Sequence, residues 1–177
     1  MKSVLISIQP KWCELIASGR KTVEVRKTKP KIDVPFKCYI YETQGRTETP
    51  WIDEDGHEIF KGRGQVIGEF VCNCMTGLKA DNMVQAYYNN TKDTCLTDEE
   101  IKRYANGKKL YYWHISDLVI YDNPKDLIEF CVWKKCNSCR VTGYESTACR
   151  YDEDCKVPAV ITRPPQSWCY VEERSRQ

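Results

Sequence analysis

Three charged residues with strand-like spacing stand just after Gly19. Lys21, Glu24 and Arg26 place a cation, a carboxylate and a second cation in the run Lys21–Arg26. Because β-branched and polar residues alternate there, the run predicts a strand with Glu24 and Arg26 on one face, and Lys21 reaches either face through its long stem. Such a set can hold an anionic or carbonyl group through its two cations, or transfer protons through Lys21 and Glu24.

A plain structural interpretation of the same residues stays open. Surface strands often carry Thr, Glu and Arg on a solvated face, and ion pairs there contribute only about 0–1 kcal/mol. On that interpretation Lys21 and Arg26 are exposed. If exposed Lys21 and Arg26 instead hold the ligand's anionic or carbonyl groups, replacing either with Ala should weaken RNA or nucleoside binding while leaving the melting temperature nearly unchanged.

A second candidate site lies in a cysteine-rich segment. Cys136 and Cys139 form a Cys-x-x-Cys pair, and Cys149 and Cys155 follow within a span suited to one tetrahedral zinc ion. The segment has few large aliphatic residues, so a structural zinc would stabilise it. Two alternatives remain: free cysteines, and a redox pair that the surrounding sequence disfavours because it lacks a strand followed by a helix.

Local patterns indicate which elements position the charged run. Ser3–Gln9 predicts a strand, and Pro10–Ala17 predicts a helix that ends at a left-handed Gly19. A basic loop, Lys27–Asp33, follows the run. The other predicted elements are strands at Val34–Thr43, Gly64–Cys74, Leu110–Tyr121 and Arg163–Glu172, a hairpin turn at Asp55-Gly56, and helices at Asp81–Asn89 and Thr97–Asn106, the second with a capping box.

Length and composition bound the class of protein. The 177 residues fit a single domain, 1–177, with the cysteine-rich insertion at about 131–158. The formal charge is +2, but residues 1–37 hold nine Lys and Arg against three acids, which favours an anionic partner for this part. No apolar run approaches the ~20 residues of a membrane span, and no signal peptide is apparent, so we expect a cytoplasmic protein without membrane attachment. The sequence leaves its oligomeric state open.

The run from Ser7 to Arg26, SIQPKWCELIASGRKTVEVR, resembles the signature of the ASCH domain family in the PUA-like superfamily. The family pattern Gly-x-Lys-x-x-Glu-x-Arg falls on Gly19, Lys21, Glu24 and Arg26. The resemblance resumes at 113–124, WHISDLVIYDNP, and fails over the insertion. It implies an α+β fold: a PUA-like β-barrel with short flanking helices and the insertion before the last strand.

The resemblance also implies a cleft that binds RNA, single-stranded nucleic acid or a modified nucleoside. Aromatic side chains would stack on bases, and amide or hydroxyl groups would read a base edge. We expect most of the aromatic residues to be core. The predicted ligand-binding residues are Gln9, Trp12, Lys21, Glu24, Arg26, Trp113, His114, Gln166, Ser167 and Trp168.

One branch of the family resembles amidohydrolases that remove the acetyl group from N4-acetylcytidine. Those enzymes use a Lys and a Thr of this strand together with a separate Glu. Here Lys21 matches the lysine, Glu24 stands where the branch has its Thr, and Thr22 lies two residues too early. Lys21 and Glu24 are catalytic only on this alternative, and the sequence favours a binding module.

Overall fold

The computed structural model describes residues 2–52, 56–79, 91–135 and 156–173. Its strands are β1 (Ser3–Ile8), β2 (Val23–Arg26), β3 (Phe36–Glu42), β4 (Arg46–Ile52), β5 (Glu58–Lys61), β6 (Val66–Lys79), β7 (Lys109–Lys125), β8 (Phe130–Lys135), β9 (Lys156–Val160) and β10 (Trp168–Glu173). Its helices are α1 (Pro10–Ala17), α2 (Thr91–Thr94) and α3 (Asp98–Ala105), and Leu127–Glu129 forms a 3-10 turn.

Eight of these strands form one sheet in the order β2-β7-β6-β3-β1-β10-β8-β9, while β4 and β5 pair as a separate hairpin. The β1–β3 pair is parallel, and the other pairs of the large sheet are antiparallel. The fold is therefore α+β and mostly sheet, as predicted.

The prediction of a closed barrel was wrong, since the described strands form an open sheet with β2 and β9 at its edges. The sheet nevertheless curls, bringing the Trp168 ring of β10 within 6.2 Å of the Trp113 ring of β7. Side chains of β10 also form hydrogen bonds with the segment that follows β2. The Trp168 indole N–H donates to Thr28 Oγ1 at 2.9 Å, and the Lys31 amide donates to the Tyr170 hydroxyl at 2.5 Å.

Strand β1 is buried on both faces, which explains its nearly continuous apolar sequence. Val4, Ile6 and Ile8 pack in one cluster with Ile16 of α1, while Leu5 packs in another. Helix α1 is thereby held against the sheet next to β2. No helix in the described ranges has the length and apolar character needed to cross a membrane.

Several predicted elements have different limits in the structure. β7 runs to Lys125, past the predicted end at Tyr121, because its end pairs with Val66 of β6. The ends of the predicted insertion form β8 and β9, which pair with each other. The short helix α2 precedes α3 at a place where no helix was predicted. The helix predicted at Asp81–Asn89 lies outside the described residues.

Candidate functional site

The corner between α1 and β2 forms as predicted. The amide of Ser18 donates to the carbonyl of Glu14 at 2.9 Å and ends the helix. Gly19 then takes a φ of +74°, a conformation that strains side-chain-bearing residues. The amide of Lys21 returns to the carbonyl of Leu15 at 2.7 Å. The chain thus enters β2 with the charged run directly beside the end of α1.

The three charged residues are buried together. Lys21, Glu24 and Arg26 have exposed fractions of 2%, 6% and 8%. Lys21 Nζ lies 3.5 Å from Glu24 Oε2, and Arg26 Nε lies 2.9 Å from Glu24 Oε1. The Arg26 N–H does not point at that oxygen with hydrogen-bond geometry, so this contact is a close ion pair. One carboxylate therefore balances two cations, and the triad carries a net charge of +1.

Main-chain carbonyl groups complete the triad. Lys21 Nζ donates to the carbonyl of Thr94 at 2.6 Å, and Arg26 Nη2 donates to the carbonyl of Ser7 at 2.7 Å. These bonds offset part of the cost of removing the cations from water. The solvated-face interpretation of the charged strand was wrong, because all three charged residues are buried.

The triad forms one wall of a pocket of about 500 Å³. This volume lies within the range of small-molecule sites. Its lining residues come from β1, α1 and the residue between them, from β2 and residues on both sides of it, and from α3 and the segment before it. They are Ile8, Gln9, Trp12, Lys21, Glu24, Val25, Arg26, Lys27, Leu96, Glu100, Arg103 and Tyr104.

The edge of β2 that has no partner strand among the described residues also lies at this pocket. The amide of Ile115 donates to the carbonyl of Thr22 at 2.9 Å, in the register that pairs Val23 with His114. Since antiparallel strands bond through alternate residues, Val23 and Val25 turn their N–H and C=O groups away from β7. Val25 is also one of the residues that line the pocket.

Half of the predicted ligand-binding residues lie elsewhere. Trp113 is fully buried in the core, with its ring 5.7 Å from Phe36, so its assignment to the ligand was wrong. His114 lies half-buried on β7, and Gln166 is exposed. The carbonyl of Ser167 accepts from the amide of Ser7 at 2.9 Å, and Trp168 holds Thr28. The pocket brings together the other five: Gln9, Trp12, Lys21, Glu24 and Arg26.

Residues of α3 that the sequence analysis missed complete the pocket. Glu100, Arg103 and Tyr104 share one helix face at i, i+3 and i+4. The capping box predicted for α3 is present, with Thr97 and Glu100 bonding each other's main chain. The grouping of the cation Arg103 with the aromatic ring of Tyr104 on the predicted helix was the sequence feature that could have identified these residues. No local sequence pattern predicts that α3 packs beside β2.

Two titrating groups limit the chemistry near the pocket. Burial raises the pKa of the Cys13 thiol well above its usual value, so this thiol of α1 stays protonated at neutral pH. Burial likewise raises the pKa of the Tyr104 hydroxyl. Among the described lining residues there is no Ser, Thr or Cys to serve as a nucleophile.

The described residues contain no group of three or more His, Cys, Asp or Glu side chains able to hold a metal ion. The four cysteines predicted to bind zinc, Cys136, Cys139, Cys149 and Cys155, lie outside the described ranges.

Comparison with known proteins gives a family match and several structural likenesses. The ASCH domain profile matches residues 6–162. An ASCH protein from Zymomonas mobilis has a TM-score of 0.58 and 17% identity, over 96% of this chain and 87% of its own. Two single-substitution mutants of that bacterial protein give TM-scores of 0.59 and 0.58, each at 17% identity, over 97% and 96% of this chain and 91% and 88% of their own. No curated protein matches this sequence. At this level of sequence identity, the similarity to these structures shows a shared fold and nothing about function.

Proposed function

This chain belongs to the ASCH domain family of the PUA-like superfamily, and we propose that it binds RNA or a modified nucleoside by taking one nucleoside unit into the pocket at β2. The observation that carries the proposal is the buried triad of Lys21, Glu24 and Arg26 in a pocket wall. Such residues are almost never buried unless they are paired, and here one carboxylate faces two cations. The remaining positive charge in the wall favours a polar or anionic ligand group.

The inner wall suits the polar edge of a base. Glu24 offers carboxylate oxygens to an amino or imino N–H, and the cations beside it can donate to a carbonyl. A flat heterocycle with mixed donors and acceptors matches this pattern better than an aliphatic ligand does.

The rim suits the rest of a nucleotide. Trp12 and Tyr104 supply aromatic surface, and base stacking on such rings contributes about 1–3 kcal/mol per base. Lys27 and Arg103 are exposed cations of the lining and can meet a phosphate. The ligand would thus place its base inward and its phosphate at the opening.

The test compares two adjacent cations of α3. Arg103 lines the pocket, whereas Lys102 is exposed on the same helix and does not. Fluorescence anisotropy with short single-stranded RNA, and calorimetry with nucleosides including N4-acetylcytidine, would measure affinity for Arg103→Ala and Lys102→Ala. We expect at least a fivefold loss for Arg103→Ala and a near-native affinity for Lys102→Ala. Equal behaviour of the two variants would move the binding site elsewhere.

The amidohydrolase remains the second candidate because Lys21 and Glu24 lie 3.5 Å apart in the pocket wall. Thr22, the nearest hydroxyl in the sequence, has an exposed side chain and does not line the pocket. Catalysis would therefore need water as nucleophile, with Glu24 as its base. We expect no acetate release from N4-acetylcytidine. Robust turnover that disappears in Glu24→Gln would replace the binding proposal with the enzyme.

A further inference from the structure

In the segment between β2 and β3, residues 27–33 alternate. Residues that anchor the segment to the fold alternate with residues that are exposed to solvent. Pro30 is buried, and Ile32 packs against the main core cluster. Lys27, Lys29 and Lys31 are exposed. A period of two is typical of strands, yet here it occurs in an irregular segment. Lys27, Lys29 and Lys31 therefore face outward in turn, and the next alternate position is the exposed carboxylate of Asp33.

Two side chains of β10 fix this segment in place. The Trp168 indole donates to Thr28 Oγ1, and the Tyr170 hydroxyl accepts from the amide of Lys31. A fixed backbone carries the lysines at defined positions, so less conformational entropy is lost when they bind a ligand.

The exposed cations continue from the pocket. Lys27 lines the pocket, and its Nζ lies 4.7 Å above the Tyr104 ring. At the other end, Lys2 Nζ lies 5.8 Å from the ring of Tyr170, the residue that holds Lys31. A row of cations therefore leads away from the pocket mouth. We call Lys27, Lys29, Lys31 and Lys2 the lysine track.

We propose that the lysine track binds the phosphates of nucleotides next to the one held in the pocket, so that the ligand is a single-stranded nucleic acid chain and not a free nucleoside. This inference rests on the proposed pocket function. Regularly placed phosphates are the partner for a row of cations, and such contacts position a chain without reading its sequence. A base must be unpaired to enter the pocket, which excludes an intact duplex.

The experiment uses the full chain and two double variants of equal charge. Lys29→Ala with Lys31→Ala removes the middle of the track, whereas Lys108→Ala with Lys134→Ala removes two exposed lysines outside both the track and the pocket lining. Affinities are measured for a mixed-sequence eight-nucleotide RNA, the same RNA as a duplex, and the four ribonucleoside 5′-monophosphates, each over a range of salt concentrations.

We expect the single-stranded RNA to bind at least tenfold tighter than any monophosphate. The track variant should lose most of this advantage and keep monophosphate affinity. Its slope of log affinity against log salt should fall by about 1.4, since each phosphate contact of a single strand contributes about 0.7. The control variant should match the unmodified protein in both respects.

Three results would overturn the track: RNA that binds no tighter than a monophosphate, a track variant equal to its control, or a duplex that binds as well as the single strand. Failure of the pocket proposal has a different signature. In that case the monophosphates show no saturable binding that depends on Arg103, whatever the two lysine variants do.

Discussion

Lys21 Nζ donates a hydrogen bond to the carbonyl oxygen of Thr94 at 2.6 Å, across 73 residues of sequence. The amide of Thr22 makes a parallel contact with the carbonyl of Asp93 at 2.9 Å. Together these bonds join the end of α2 to the start of β2, and α3 follows directly. Because Leu96 to Tyr104 supply one side of the pocket, Lys21 shapes the pocket as well as lining it.

This dual role predicts that Lys21→Met destabilises the fold. The substitution keeps much of the side-chain volume but removes the buried hydrogen bond from the charged Lys21 donor, and hydrogen bonds of charged groups contribute about 1.5–3 kcal/mol. Urea unfolding would measure the loss. Lys11→Met, at an exposed position of α1, should change stability by no more than about 0.5 kcal/mol. A Lys21→Met protein as stable as this control would show that the contact contributes little.

The environment of the Tyr121 hydroxyl allows us to predict how the free energy of unfolding changes at alkaline pH. Its hydroxyl donates to Glu69 Oε2 at 2.6 Å, and burial together with the Glu69 carboxylate raises the pKa of Tyr121 in the folded protein. A raised folded pKa gives stability that is complete below the unfolded value of about 10 and is lost as the pH rises beyond it.

The free energy of unfolding should therefore fall above about pH 10. In the Tyr121→Phe variant this free energy should fall less steeply over the same pH range. The variant should also be less stable than the unmodified protein at pH 8. Urea titrations under reducing conditions at several pH values would measure both slopes. Tyr39 also has a raised pKa, so part of the alkaline loss remains in the variant. Identical slopes would assign the loss to other groups.

For the cysteine-rich segment we still predict about one zinc ion per chain, held by Cys136, Cys139, Cys149 and Cys155. Elemental analysis of protein prepared without chelator measures it. Cys139→Ser should lose the zinc, whereas Cys74→Ser, at an exposed cysteine outside this set, should keep it. Metal-free protein in which all four thiols react with an alkylating reagent would refute the site.

The sequence predicted those parts of the site whose structure is determined by residues adjacent in the chain. Pro10, Gly19 and the alternation after Lys21 encode a helix, a turn and a strand through local backbone preferences, and all three are present. Alternation assigns residues to two faces of a strand, but it does not say which face a distant element will cover. For this reason the burial of Glu24 and Arg26 was not predicted.

Long-range packing also explains the other errors. Trp113 stands in the densest aromatic cluster, and a core residue and a stacking platform look the same in a sequence. Trp168, also predicted to bind the ligand, lies outside the pocket lining and donates to Thr28, a long-range contact that the sequence does not show. Closure of the barrel depended on β2 finding a second partner strand, and the described sheet leaves β2 at its edge.

The location of the binding site can be measured directly by following backbone amide signals of the 15N-labelled protein while each ribonucleoside 5′-monophosphate is added. Our account predicts saturable shifts for at least one monophosphate, largest at Gln9, Val25, Lys27 and Tyr104, with little change along β8 and β9. No saturable shift with any of the four, or shifts confined to residues outside the pocket, would contradict it.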